Sequence, residues 1–249
     1  HLIEGPFVFY DESPACKKGE EFKLVTLGWK ENDDGKKVRD ALWCWVSGDG
    51  IHFEKKYPIT GKGAFDSMNT IRWHNGRYAC YMRGFENGIR DIRVCYSDDF
   101  INWSDPEKIK FDDDGVYQLY TNNVMPYDRA PHLLIGFPTR YNERREWTAN
   151  YDQIGSCELK KLLIKTTEPR GGLATTDCIF MSSRDGLNWH RNNEAFLTAG
   201  IENEYNWVYG DCYLAYGLID SGRECYYLYS HGNHRSTGFA KPLVRYEIR

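Results

Sequence analysis

The chain has 249 residues, of which 41% are hydrophobic and 27% charged, and its formal net charge is −4. This composition excludes an intrinsically disordered chain and provides enough apolar side chains for one large β domain or two small ones. No Lys/Arg stripe alternates with aromatic residues, so a nucleic-acid partner is not expected. No run reaches the roughly 18 apolar residues that cross a bilayer, so no membrane span is predicted.

The first residue is His1 rather than an initiator Met, and no apolar signal-peptide segment follows it. This is consistent with a piece of a longer polypeptide that has lost a leader or a first repeat. The location is unknown from the sequence, and a secreted or periplasmic one is favoured over a cytoplasmic one. The oligomeric state is left open.

Almost the whole chain is predicted to form short β-strands. The strand-like runs are rich in aromatic and β-branched residues, and Gly, Asn, Asp or Pro separates them. Clear examples in chain order are residues 6–10, 22–27, 77–82 and 224–229. The fold class is therefore predicted to be all-β.

A turn motif recurs along the chain, beginning at Ser47, Ser97 and Ser183. In each copy an Asp follows two residues later and an aromatic residue follows six residues later. Ser and Asp side chains accept hydrogen bonds from nearby backbone N–H groups in tight hairpins. We therefore predict a structural rather than a catalytic role for the Asp of each turn.

The spacing of these turns indicates a repeat of four strands. Units of about 40 to 50 residues with four strands are typical of the blades of a β-propeller. We predict four such units, and the third contains a long insertion after Tyr141; they span residues 4–56, 65–110, 117–191 and 205–249.

The eight cysteines include no C-x-x-C pair, which argues against a zinc ribbon or a redox motif. Most of them lie in aromatic strand-like runs, as expected for buried free thiols. These six are Cys44, Cys80, Cys95, Cys178, Cys212 and Cys225.

The chain resembles the glycoside hydrolase family 32 and 43 superfamily of arabinanases and invertases. The resemblance is carried by the Ser-x-Asp turns and by three further motifs: Glu-Gly-Pro at residues 4–6, Phe-Asp-Ser-Met-Asn at 65–69 and Thr-Asp-Cys-Ile-Phe-Met at 176–181. It is most similar to uncharacterised relatives described as family 32 N-terminal-like. The resemblance implies a single five-bladed β-propeller domain over residues 1–249. It also implies hydrolysis of an oligo- or polysaccharide without a cofactor, although some relatives carry a structural Ca²⁺.

Glycoside hydrolysis needs one carboxyl group to donate a proton and another to activate water or attack carbon. In the resembling families acidic residues of successive blades point into a central channel. Glu4, Asp66 and Glu204 come before the first strands of their predicted units. Asp177 lies six residues before a turn Ser, at the start of a third strand. We expect these four carboxylates to converge and to be catalytic.

Further residues are predicted to bind substrate. A carboxylate or guanidinium holds a sugar through paired hydrogen bonds, an amide bonds its hydroxyls, and an aromatic ring stacks on its apolar face. The predicted substrate-binding residues are Arg90, Asp91, Asn123, Arg140, Trp207 and Asp211. The alternatives are an Arg–Asp pair that ties blades together for Asp91 and a surface salt bridge for Arg140. No metal-ligand motif is found.

Two other functions stay open at this point. A non-catalytic carbohydrate-binding propeller would have the same aromatic residues, but arginines would neutralise its carboxylates. A protein-interaction propeller would have a broad exposed apolar face and no acidic cluster.

Overall fold

The computed structural model describes most of the chain, namely residues 4–144, 146, 158, 161–162, 165, 173–201, 206–207, 209–210, 212–222, 224–231 and 243–249. Twenty strands run through these residues and form five sheets. Among the described residues no helix is long and apolar enough to cross a membrane.

The first sheet is antiparallel and its strands follow one another in chain order. They are β1 (Phe7–Tyr10), β2 (Phe22–Glu31), β3 (Lys37–Ser47) and β4 (Glu54–Thr60). The apolar side chains of β2 and β3 alternate between buried and half-buried positions, as the two-residue period of a strand requires.

A bulge interrupts the pairing of β2 with β3. Leu27 pairs with Leu42 and Trp29 pairs with Arg39, so two residues of β3 lie opposite Gly28 alone. The extra residue puts Arg39 on the same face of the sheet as the buried Leu27 and Leu42.

The second sheet is also antiparallel and in chain order. It consists of β5 (Thr70–His74), β6 (Arg77–Glu86), β7 (Ile89–Ser97) and β8 (Glu107–Lys108). The first two sheets therefore match the first two blade units that the sequence predicts.

The third predicted unit is wrong as a single sheet, because its strands divide between two sheets. One sheet has the order β11 (Met125–Tyr127), β12 (Ala130–Gly136), β15 (Met181–Ser183), β16 (Asn188–Arg191) and β9 (Lys110–Phe111). The other has the order β10 (Gln118–Leu119), β13 (Thr139–Asn142) and β14 (Thr175–Cys178). The chain crosses between them at Pro138, which has no N–H group to continue a ladder.

The fifth sheet is built around one long strand, which pairs with three others. Its strands are β17 (Tyr213–Leu214), β18 (Ile219–Asp220), β19 (Tyr226–His231) and β20 (Leu243–Ile248), and β19 is the shared partner.

The chain divides into two compact units. Unit 1 consists of residues 1–114, 120–136 and 182–190, and unit 2 consists of residues 115–119, 137–181 and 191–249. The single domain over residues 1–249 stays a prediction. All six cysteines predicted to be buried free thiols are buried, and Cys44, Cys80, Cys95, Cys178 and Cys225 are free thiols as predicted.

The three Ser-x-Asp turns have the predicted structural role. Oδ1 of Asp49 and of Asp99 accepts hydrogen bonds of 2.8 Å from the backbone N–H groups two and three residues later. Asp185 accepts the equivalent bonds at 2.9 and 2.7 Å. Each Asp therefore fixes the hairpin that joins two strands.

Candidate functional site

Glu4 and Asp66 come together because the backbone of Gly5 packs on the segment that carries Asp66. Gly5 has a φ of +59°, and a Cβ atom at this position would lie 2.1 Å from the carbonyl oxygen of Ser67. Only glycine allows so close an approach in this conformation. The carbonyl of Glu4 in turn accepts hydrogen bonds from Thr26 Oγ1 at 2.7 Å and from the Leu27 N–H at 3.3 Å.

Arg39 joins the two carboxylates. Its Nη2 lies 3.2 Å from Oε2 of Glu4 and 3.3 Å from Oδ2 of Asp66. These two oxygens are therefore separated by no more than the sum of two such contacts. That limit admits the ~5 to 5.5 Å spacing of retaining glycosidases and only the lower end of the ~6.5 to 9.5 Å range of inverting ones.

A second arginine holds the other oxygen of Asp66. Arg83 Nη2 donates to Oδ1 of Asp66, and its side chain is only 5% exposed. The guanidinium of Arg83 also lies over two aromatic rings, at 4.7 Å from the centroid of Tyr120 and 5.2 Å from that of Phe85. Asp66 is thus fixed by a buried cation that is itself packed between rings.

Two buried amides anchor the loop around Asp66. Asn69 Nδ2 donates to the carbonyls of Phe65 at 3.0 Å and Ser67 at 2.8 Å. Asn122 Nδ2 donates to the carbonyl of Met68 at 2.9 Å. The neighbouring Asn123, predicted to bind substrate, is fully buried and has a φ of +47°.

Arg90 and Asp91 lie on opposite faces of β7, because adjacent strand residues alternate. Arg90 pairs with Phe85 of β6, and its guanidinium carbon lies 5.5 Å from the centroid of the Phe85 ring. Arg90 is therefore on the same face of the sheet as Arg83. Asp91 is buried, and it accepts hydrogen bonds from Arg93 Nε at 2.9 Å to Oδ1 and from Arg93 Nη2 at 3.2 Å to Oδ2. The hydrogen bonds to Asp91 raise the pKa of Arg93 above its ordinary value. The pair that holds Asp91 is therefore with Arg93 of the same strand.

In unit 2, Asp177 is paired with Arg140. Arg140 Nε lies 2.9 Å from Oδ1 of Asp177 and Nη2 lies 2.7 Å from Oδ2, in a two-pronged contact. Asn142 Nδ2 donates to the same carboxylate at 3.1 Å. Arg140 also donates to the carbonyl of Asn193 at 2.8 Å. Asp177, on strand β14, is thus held by three hydrogen bonds within unit 2.

The remaining predicted residues give less information. Trp207 is half-buried, has a φ of +68° and donates from Nε1 to the carbonyl of Gly200 at 3.0 Å. Glu204 and Asp211 lie outside the described residues. Of the four predicted catalytic carboxylates, the structure brings Glu4 and Asp66 to one site in unit 1.

Arg39 and Arg83 are members of this site that the sequence did not reveal. Arg39 precedes an Asp in the sequence, but the bulge that orients it depends on pairing with β2. Arg83 precedes Gly84 inside β6, and a glycine within a strand often marks a place where a ligand or another backbone segment approaches closely. Gly84 was therefore the available sequence signal for Arg83.

No group of three or more His, Cys, Asp or Glu side chains within the described part of the chain is arranged to hold a metal ion.

No protein-family model matches the chain. No curated protein is significantly similar to it in sequence. Solved structures do match it. An endo-1,4-β-xylanase from Bacteroides thetaiotaomicron has a TM-score of 0.57 and 14% identity, over 99% of this chain and 71% of its own. A thermostable family-43 glycoside hydrolase has a TM-score of 0.53 and 13% identity, over 93% and 64%.

A family 32 β-fructofuranosidase from Bombyx mori, in complex with sucrose, has a TM-score of 0.50 and 13% identity, over 90% of this chain and 45% of its own. The chain thus spans less than two thirds of the length of the family-43 and family-32 structures. At such low identity the likeness establishes the fold. The prediction of an all-β, five-bladed β-propeller is confirmed, and the chain has the fold of the family 43 and family 32 glycoside hydrolases.

Proposed function

We propose that the chain hydrolyses glycosidic bonds of an oligo- or polysaccharide, with Glu4 and Asp66 as its pair of carboxyl groups. The supporting observation is that both residues, from the starts of two different sheets, contact the same nitrogen of Arg39. Two carboxyl groups at this spacing are what the reaction requires, and the reaction needs no cofactor.

The surroundings of the two carboxylates differ, and this suggests their roles. Asp66 accepts a hydrogen bond from Arg83 and forms an ion pair with Arg39, and both contacts stabilise a negative charge, as a base or a nucleophile needs. Glu4 has one arginine contact and its side chain is 31% exposed, so it can exchange protons with water. We assign Asp66 as the base or nucleophile and Glu4 as the proton donor. Catalytic roles for Asp177 and Glu204 stay predictions.

Aromatic rings beside the carboxylates support a carbohydrate substrate. Phe85 is 46% exposed and, with Tyr120, borders Arg83, which holds Asp66. A flat ring of this kind stacks on the apolar face of a sugar. The rings and the two carboxylates together would form one subsite.

One observation favours a second function, a carbohydrate-binding propeller without catalysis. Each predicted acidic residue that the structure describes has an arginine partner: Glu4 with Arg39, Asp66 with Arg39 and Arg83, Asp91 with Arg93, and Asp177 with Arg140. Carboxylates neutralised in this way can hold sugar hydroxyls without taking part in catalysis.

The test is a panel of aryl glycosides and oligosaccharides assayed for hydrolysis and, by calorimetry, for binding. The variants Asp66→Asn and Glu4→Gln are expected to lower kcat by about 10² to 10⁴. The matched control is Asp105→Asn, because Asp105 is an exposed carboxylate that pairs with Lys62. Binding without hydrolysis by the unmodified chain would establish the second function, and neither binding nor hydrolysis would reject both.

A further inference from the structure

Arg39 occupies the space that the proposed reaction needs. One nitrogen of its side chain contacts both Glu4 and Asp66, so the guanidinium lies between the two carboxyl groups. In the two-carboxylate mechanism the scissile bond lies between those groups. A substrate can therefore be cleaved there only after Arg39 has left its present position.

Arg39 is free to leave. Its side chain is 54% exposed, and its two contacts of 3.2 and 3.3 Å are longer than the ~2.7 to 2.9 Å of a strong charge-assisted hydrogen bond. Its departure leaves no buried charge unpaired, because Asp66 keeps Arg83 and Glu4 is partly in contact with water.

A neutral sugar has nothing to draw Arg39 away from two carboxylates. A sugar hydroxyl is a weaker acceptor for a guanidinium than either carboxylate that it would replace. A carboxylate on the sugar is an equal acceptor, and it can bind the planar fork of an arginine through two parallel hydrogen bonds. In binding such a substrate, Arg39 would replace its ion pairs with Glu4 and Asp66 by an ion pair with the carboxylate of the sugar.

The neighbour of Arg39 in the sheet suits a sugar ring. Trp29 lies directly opposite Arg39 on β2, so the two side chains are on the same face. Trp29 is half-buried, so its ring offers an apolar face to a sugar that is held beside Arg39.

We propose that Arg39 determines specificity by binding the carboxylate of an acidic sugar, and that this exchange frees Glu4 and Asp66 for catalysis. The inference rests on the proposed glycosidase function and adds a substrate class to it: glycans that carry a uronic acid next to the scissile bond.

The test compares kcat/KM on matched pairs of glycans. Oligogalacturonides are compared with galacto-oligosaccharides, and glucuronic-acid-substituted xylo-oligosaccharides with unsubstituted ones. The unmodified chain is expected to prefer the acidic member of one pair by about tenfold or more. Arg39→Gln is expected to abolish this preference, through a higher KM for the acidic member and a higher kcat/KM on the neutral member, because no guanidinium then lies between Glu4 and Asp66. Arg39→Lys keeps the charge without the fork and is expected to retain part of the preference.

Lys62→Gln is the control, since Lys62 is an exposed cation paired with one carboxylate, Asp105, at 2.6 Å. It is expected to keep the original preference. Hydrolysis of neutral glycans without any preference would overturn the inference and leave the glycosidase function standing. An equal loss of kcat/KM on the acidic and the neutral glycan in Arg39→Gln would also overturn the inference, because Arg39 would then have only a structural role. If neither kind of glycan is bound or hydrolysed, the proposed function fails and this inference fails with it.

Discussion

Gly5 lies so close to the backbone of Ser67 that a Cβ atom on residue 5 would be 2.1 Å from the Ser67 carbonyl oxygen. That oxygen belongs to the backbone and cannot swing aside, and the φ of Gly5 is +59°. We expect Gly5→Ala to lower the free energy of unfolding by roughly 2 to 5 kcal/mol, because overpacking adds to backbone strain. It should also separate Glu4 from Asp66 and lower kcat. Urea denaturation and hydrolysis assays measure the two effects.

Gly76→Ala is the matched control for this prediction. Gly76 has a similar positive φ of +79°, but nothing lies within 4 Å of a Cβ atom placed there. The loss should be about 1 kcal/mol from backbone conformation alone. A Gly5→Ala loss no larger than that of Gly76→Ala would contradict the packing argument.

The fold was predictable where local chemistry determines it. The Ser-x-Asp turns carry their own hydrogen bonds, so they mark the hairpins and the spacing of the sheets. The crossing between sheets at Pro138 was not predictable, because residues on both sides of it are equally suited to strands. It is stabilised by packing of Phe137 on Phe180 and Phe196, with ring centroids 5.6 and 5.1 Å apart. Both partners are distant in sequence.

The candidate site was predictable only in part. Glu4 and Asp66 could be named because each precedes the first strand of a predicted unit. Arg39 could not, because its direction depends on the bulge opposite Gly28. Asp91 and Asp177 lie six residues before their turn Ser, whereas Asp40 lies seven residues before Ser47, because the same bulge adds a residue to β3. A sequence shows residue types, but a one-residue shift in pairing reverses which face they occupy.

A buried ion pair is expected to be essential for stability. Lys23 Nζ lies 2.6 Å from Oδ2 of Asp11, both side chains are 2% exposed, and Tyr78 donates to the same oxygen at 2.7 Å. Lys23→Met should lower the free energy of unfolding by about 3 to 5 kcal/mol, because it leaves a buried carboxylate without its cation. The double variant Lys23→Met with Asp11→Asn should recover much of the loss. A Lys23→Met loss within 1 kcal/mol, about the worth of a surface ion pair, would contradict this.

The same pair predicts how stability changes in acid. Burial alone would raise the pKa of Asp11, but hydrogen bonds from Lys23, Tyr78 and Ser13 outweigh it and hold the pKa below the ordinary 3.8. The unfolded chain therefore binds this proton more readily than the folded one. The contribution of Asp11 is present above about pH 3.8 and is lost as the pH falls through the folded pKa. Denaturation series should show a shallower acid dependence in Asp11→Asn, and an unchanged slope would reject the assignment.

The turn that begins at Ser183 is also expected to lose stability in acid. Burial would raise the pKa of Asp185, but hydrogen bonds from Asn188, Leu187 and Ser183 lower it to about 2. The stability that Asp185 provides should therefore fade between about pH 3.8 and pH 2. At neutral pH, Asp185→Ala should cost about 1 to 2 kcal/mol through lost turn hydrogen bonds. Asp105→Ala is the control, and an equal melting temperature in both variants would contradict the prediction.

The pair of Arg140 and Asp177 allows a structural role to be separated from a catalytic one. Both side chains are largely buried, at 11% and 13% exposed, and two guanidinium nitrogens hold the two carboxylate oxygens. A lysine ammonium cannot reproduce that fork, so Arg140→Lys should lower the free energy of unfolding by roughly 1 to 3 kcal/mol. Asp177→Asn should do likewise, because the charge that Arg140 requires is removed.

Because Arg140 and Asn142 already use both oxygens of Asp177, we expect Asp177→Asn to keep kcat within about tenfold of the unmodified chain, unlike the 10² to 10⁴ loss expected for Asp66→Asn. Melting temperatures and kcat of the two variants, measured side by side, make the comparison. A loss of kcat in Asp177→Asn as large as that in Asp66→Asn, without a fall in melting temperature, would move Asp177 from the scaffold of unit 2 into the catalytic set.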